Sequence, residues 1–160
     1  MPLYFLLAAA LVAVDQVVKY LVRAGIPLHT AVDFLPGLDL TYVQNTGAAF
    51  SLFSQHTWLL TLISAVMSVV LGVAVWKKFF AHPFGRCALT LVLAGAVGNL
   101  IDRVLYGYVI DFIEPTFMQF AVFNIADCAV TCGGISFVLW LAVDLFRSGD
   151  GKKGMTHDGK

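Results

Sequence analysis

Charge is what this sequence has least of. Only 12% of its 160 residues are Asp, Glu, Lys or Arg, where a soluble domain carries roughly a quarter. Neither sign prevails. Ten Lys and Arg face ten Asp and Glu, so no basic excess points to nucleic acid and no acidic tail is present. No internal repeat of solenoid type and no low-complexity tract occurs. Cysteine is scarce as well: Cys87, Cys128 and Cys132 are all there are. Cys128 and Cys132 share a helix face, but no His or further Cys completes a metal set. The expectation is no metal and no cofactor, with the thiols serving as small buried apolar residues.

What the chain does have is apolar length. Hydrophobic residues make up 59% of it, and the mean hydropathy is +0.85. A spanning helix needs about 20 predominantly apolar residues. Residues 3–22, 58–76, 87–104 and 127–146 each fit that length. The second holds no charge and has Trp58 and Trp76 at its ends, where interfacial rings tend to sit. These spans predict an all-α polytopic membrane protein, one membrane domain over residues 1–146 followed by a flexible Gly- and Lys-rich tail over 147–160. The first segment also admits a cleavable signal peptide, although no Lys or Arg precedes its apolar run. Cations set the direction. Lys77, Lys78 and Arg86 lie between spans two and three, and Arg147, Lys152, Lys153 and Lys160 lie in the tail. Both termini are therefore expected in the cytoplasm, with loops 23–57 and 105–126 outside.

With that topology the polar residues collect at one depth. Asp15 and Lys19 fall in the outer half of span one, Asn99, Asp102 and Arg103 near the outer end of span three, and Asp127 at the outer start of span four. Asp111 and Glu114 lie in the short outer loop just before it. Asp15 with Lys19 and Asn99 with Arg103 are i, i+4 pairs, and Asn124 with Asp127 is i, i+3. Charges within a membrane are costly unless paired or hydrated, so they usually face the bundle interior or a watery cavity. Two blander readings stand beside this one: Lys19 snorkelling outward in a structural pair, and Arg103 as an interfacial anchor.

Asp111 and Asp127 are the chemical candidates. An aspartyl hydrolase needs two acids close enough to share a proton, one drawing a proton from water while the other polarises the carbonyl. They stand on a loop and the helix it feeds, and they meet only if that loop folds back. The competing reading makes Asp127 a helix cap and Asp111 a solvated loop residue. Other chemistries fail on inventory. No HExxH is present, and Ser64, Ser68 and Ser136 read as helix-packing residues. A Gly-rich phosphate loop is missing, and Gly107–Asp111 does not match the GxGD of one aspartyl membrane protease class.

The outer loop from Gly25 to His56 is long for so small a protein. Leu38 to Gln44 alternates as a short half-buried strand does, Asn45-Thr46-Gly47 suits a turn, and Ala48 to Phe53 suits a returning strand. This predicts a small extracytoplasmic β-rich element, either a cap on the bundle or a cradle that grips a lipidated or extended peptide.

Several blocks then resemble one family. Asp15-Gln16-Val17-Val18-Lys19 and Asn45-Thr46-Gly47-Ala48-Ala49-Phe50-Ser51 are similar to the first two conserved blocks of the bacterial lipoprotein signal peptidases. Gly98-Asn99-Leu100-Ile101-Asp102-Arg103 resembles the third. Val109-Ile110-Asp111-Phe112 and Phe123-Asn124-Ile125-Ala126-Asp127 resemble the two that carry the catalytic aspartates. The blocks occur in family order. Two departures are visible: Ala94-Gly95-Ala96-Val97 stands where many members have paired glycines, and Gln119 to Val122 lacks the Trp or Pro often seen.

The resemblance implies an aspartic endopeptidase of the bacterial cytoplasmic (inner) membrane that cuts a diacylglyceryl-modified prolipoprotein before its lipidated Cys. It makes Asp111 and Asp127 the catalytic pair, with no metal and its site near the outer face. Asn99, Arg103 and Asn124 would line or brace the site, Asp15 and Lys19 would hold span one against it, and Asn45 and Gly47 would belong to the cradle near the substrate. Membrane lipid and globomycin-type inhibitors are the other partners it implies. The rival classes are a small transporter and a non-catalytic lipopeptide-binding factor. A conduction path would place ionisable groups at several depths, whereas the inner halves of these spans are nearly bare apart from Asp144.

Overall fold

The computed structural model describes residues 2–47 and 57–153. Its elements are the helices α1 (Pro2–Gly25), α2 (Thr57–Trp76), α3 (Pro83–Tyr106) and α4 (Ile125–Lys153) and the strands β1 (Ala31–Leu35), β2 (Leu38–Asn45) and β3 (Val109–Pro115). All four helices are long and apolar enough to cross a membrane, α4 over Ile125–Arg147. They bear out the fold read from hydropathy and overrun its limits, because polar caps set the helix ends. His82 caps α3, its Nδ1 accepting the Phe84 N–H at 3.2 Å with Pro83 in the first turn. Gly107 closes the same helix at φ 79. At the end of α2 the Phe79 N–H reaches the Ala74 carbonyl at 3.1 Å and the Lys78 N–H reaches Val75 at 3.3 Å. This is a Schellman pattern with Lys78 in the left-handed region at φ 55. Likewise α4 runs past the Phe146 boundary to Lys153, and 154–160 lie outside the described residues.

The strands form one antiparallel sheet in the order β1-β2-β3. β2 lies where alternation placed it. Pro36 and Gly37, at φ 88, join it to β1, the residue pair that a type II turn takes. The other neighbour of β2 corrects the sequence reading. Asp111 is on strand β3 and not in a loop, with Val43 opposite Asp111 and Asn45 opposite Val109. Seven residues after a helix end gave too short an apolar pattern to stand out. The expected return strand at Ala48 to Phe53 lies outside the described residues, and β1 and β3 occupy both edges of β2.

The loop after β3 does fold back. Phe123 exchanges hydrogen bonds with Ile113 at 2.8 and 3.1 Å, so the start of α4 is delivered beside β3. The helices α1, α2 and α4 all pack against α3. Val22, Tyr42, Ile110 and Phe112 form a small core between the sheet and α1, while Leu71, Val75, Leu89 and Leu93 fill the bundle. Glycine sets the approach of α3 and α4. A Cβ on Gly95 would collide with the Ala126 carbonyl and come within 2.6 Å of Val130, and one on Gly133 would lie 2.7 Å from the Ala88 carbonyl. Single glycines thus provide the close packing that paired glycines provide elsewhere.

Gly95→Ala is expected to destabilise the protein by about 1–3 kcal/mol through overpacking against backbone. Gly134→Ala, whose added Cβ meets nothing within 4 Å, is expected to be neutral or mildly stabilising. Thermal unfolding of both variants in detergent checks the contrast.

Candidate active site

Lys19 is the centre of a buried polar network. Its Nζ lies 2.8 Å from Asp15 and 2.9 Å from Asp102 and donates to Asn99 Oδ1 at 3.0 Å. Three acceptors match the three protons of an ammonium. The side chain is 1% exposed, so it turns inward and does not snorkel. Each carboxylate then reaches a further element. Asp15 Oδ1 accepts the Ala126 N–H in the first turn of α4 at 2.9 Å, where a negative charge is favoured. Asp102 accepts the Ile110 N–H of β3 at 3.1 Å and the Gln16 amide at 2.9 Å. Gly98 makes room for this, since a Cβ there would sit 2.8 Å from Asp15 Oδ2. α1 is thereby tied to α3, β3 and α4.

The acidic pair stands on this base. Asn124 is the N-cap of α4: its Oδ1 accepts the Asp127 N–H at 2.9 Å, and its own N–H reaches Asp127 Oδ2 at 3.1 Å. That reciprocal arrangement has the form of a capping box. Asp127 is therefore a cap, as one reading had it, and its other oxygen still accepts the Asn99 amide at 2.7 Å. The Asn124 amide in turn donates to Asp111 Oδ1 at 2.6 Å, and Asn45 donates to Asp111 Oδ2 at 2.8 Å. Asn124 thus touches both acids. Asp111 is 2% exposed. Burial, and then the facing Asp127 carboxylate, push its pKa up to about 7 against the lowering hydrogen bonds of Asn45 and Asn124 and the Lys19 charge.

Both acids line one cavity of about 500 Å³ together with Asn45, Asn99 and Arg103. Arg103 faces it and donates to the Gly47 carbonyl at 3.2 Å and to Ser64 at 3.5 Å. It therefore braces the turn after β2 and does not stand as a bare interfacial anchor. Gly47 N–H closes that turn on Asn45 Oδ1 at 2.9 Å. All nine residues singled out in the sequence, Asp15, Lys19, Asn45, Gly47, Asn99, Arg103, Asp111, Asn124 and Asp127, fall in this connected region. Sequence reasoning underrated Asp102, which is fully buried, although its place three residues after Asn99 was a signal. It also missed Gln16 and the role of Ser64. The thiols need a correction: Cys128 and Cys132 are exposed and line the cavity with Thr131, because their face of α4 turns away from α3. Among the described residues no group of His, Cys, Asp and Glu is arranged to hold a metal ion.

Lys19→Met would strand two buried carboxylates. Losing one partner of a buried ion pair costs about 3–5 kcal/mol, so this variant is expected to unfold well below wild type in detergent. Asp102→Asn in the same chain removes one stranded charge and is expected to restore part of the loss.

Comparison with known proteins meets this geometry. The family model for signal peptidase (SPase) II matches residues 7–143. A lipoprotein signal peptidase of Enterococcus faecalis is 40% identical over 152 residues, covering 94% of each chain. That of Brevibacillus brevis is 38% identical over 152 residues, covering 94% of this chain and 97% of its own. A bacterial membrane enzyme solved by the in meso method superimposes with a TM-score of 0.84 at 33% identity, over 91% of this chain and 90% of its own. With the match running from α1 into α4 and the solved fold following the same course, the chain belongs to the signal peptidase II family.

Proposed function

We propose that this protein is an aspartic endopeptidase that removes the signal peptide from diacylglyceryl-modified prolipoproteins, cutting just before the lipidated Cys. Family membership makes it a protease and a multi-pass membrane protein. The observation that carries the aspartic reading is the pair Asp111 and Asp127, joined through Asn124 and opening on one cavity. The name borne by its relatives supports a prolipoprotein as substrate. Positive loops at the end away from the sheet support cytoplasmic termini, an outer-face site and residence in the cytoplasmic membrane. Residues 1–146 act as one membrane domain in this reading.

The chemistry follows from sharing one proton. The two carboxyl groups are bridged by Asn124, and with the Asp111 pKa raised to about 7 a proton on Asp111 is available near neutral pH. Ionised Asp127 takes a proton from a water as that water's oxygen bonds to the scissile carbonyl carbon. Asp111 donates its proton to the carbonyl oxygen, giving a tetrahedral diol. Return of a proton to the departing nitrogen breaks the C–N bond and frees the lipidated Cys as a new amino terminus. Asn45, Asn99 and Asn124 hold the carboxyl groups in register, Lys19 and Asp15 fix the helices beneath them, and Arg103 with Gly47 shapes the cradle side of the cavity. Acyl chains of the substrate remain in membrane lipid, and a globomycin-type cyclic peptide is expected to occupy the cavity and inhibit.

Purified enzyme in detergent, given a diacylated prolipoprotein, is expected to shift it on a gel, and the unlipidated precursor is expected to stay intact. Asp111→Asn and Asp127→Asn should each lower the rate by about 10²–10⁴-fold or more with the fold retained. Full activity in both folded variants would sink the aspartic mechanism.

The rate should fall as pH rises through about 7, where Asp111 loses its proton. Asn45→Ala removes a hydrogen bond that favours the ionised form. Its alkaline limb is therefore expected at higher pH than that of wild type, and a limb that stays or moves to lower pH would contradict the assignment.

A further inference from the structure

The end of the bundle away from the sheet holds a second concave site that the peptidase chemistry does not use. α2 begins beside the sheet, where the Thr57 hydroxyl donates to the Thr46 carbonyl at 3.0 Å, and so its last turn lies at the opposite end. There Val69, Val70, Val73 and Ala74 form one wall, and Phe79 and Phe80 the other, of an apolar groove of about 500 Å³. Most lipid-facing helix surfaces are convex. This one is hollow because the Schellman turn folds Phe79 back along α2, and because Phe80 is pinned by edge contacts to Phe137 at 4.9 Å and Trp140 at 5.6 Å.

Two exposed cations, Lys77 and Lys78, directly precede Phe79 of the groove wall. No carboxylate occurs between Trp76 and Cys87. Arg86, the other cation of this loop, is occupied: it donates to the Ala81 carbonyl at 3.3 Å and lies over the Tyr4 ring at 5.1 Å. The lysines have no such partner among the hydrogen bonds and ion pairs of the described residues. Lys78 also occupies a backbone position suited to glycine, at φ 55. A cation near the last carbonyls of a helix is favourable in itself, but Lys77 already supplies one. A second lysine held in the left-handed region keeps strain that Gly would relieve.

We propose that this end binds an anionic glycerophospholipid, one acyl chain in the α2 groove and the phosphate between Lys77 and Lys78. The apolar hollow and the paired cations match the two halves of such a molecule, and the loop that carries the lysines holds no carboxylate of its own.

Thermal unfolding and native mass spectrometry of the full chain in detergent test this, with phosphatidylglycerol, phosphatidylcholine and free glycerol phosphate as probes. Wild type is expected to retain phosphatidylglycerol and to gain thermal stability from it, with little effect from the other two. Lys77→Gln with Lys78→Gln should lose most of that gain, at about fivefold in affinity for each lysine. Val70→Trp, which fills the groove and keeps both cations, should weaken retention as well. Lys78→Gly gives a split outcome: greater stability without lipid and a smaller gain with it. Equal gains from phosphatidylglycerol and phosphatidylcholine, or a gain unchanged in the double Gln variant, would overturn the proposal. So would an equal effect of glycerol phosphate alone, which would mean that the groove plays no part.

Discussion

The ammonium of Lys19 is the constraint from which the site is built. It sits where water cannot solvate it, so its three protons must all find acceptors inside the protein, and Asp15, Asp102 and Asn99 supply them. Two carboxylates around one cation leave an excess of negative charge, which peptide N–H groups of Ala126 and Ile110 take up. Because those amides belong to the start of α4 and to β3, neutralising one lysine also fixes the two elements that carry Asp127 and Asp111. A surface ion pair, worth at most about 1 kcal/mol, would not bind helices in this way. A buried one does so because breaking it strands a charge.

The pair Asp111 and Asp127 shows how a helix cap and the lining of a cavity share atoms. Asp127 caps α4 through one oxygen and presents the other toward Asn99 and the cavity. Asp111 is held on a strand whose register with β2 sets Asn45 against it. A β-bulge between Leu40 and Val43 adds a residue to β2 just before that point, as bulges often do next to reactive sites. Asn124 completes the arrangement by binding both acids from one side chain and one backbone. The result is two carboxyl groups that neighbouring amides hold in place, with burial pushing Asp111 toward its neutral form.

The bundle is accordingly divided along its length. At the sheet end, polar groups are bought into the interior by mutual pairing, and glycines at 95 and 98 let the elements come close enough to pair. At the other end aromatic rings and aliphatic side chains fill the space, and cations stay on the outside. The costly groups are thereby confined to one end of the bundle, where each finds a partner.

Much was legible in the sequence. Apolar length and scarce charge determined four spans, since a continuous apolar run of about 20 residues satisfies its backbone in lipid as a helix. The placement of Lys and Arg set their expected direction, and that direction alone put Asp15, Lys19, Asn99 and Asp127 at one depth. The ordered blocks then singled out Asp111 and Asp127. Tertiary structure decided what spacing leaves open. Whether Asp111 reaches Asp127 depends on Ile113 pairing with Phe123, and whether Asp111 is loop or strand depends on a partner more than sixty residues earlier in β2. The choice between Lys19 snorkelling and Lys19 buried depends on Asp102 lying within 2.9 Å. Local patterns record the periodicity of one element. They carry no record of which distant N–H or carboxylate will satisfy a buried charge, because that is settled only when the elements pack.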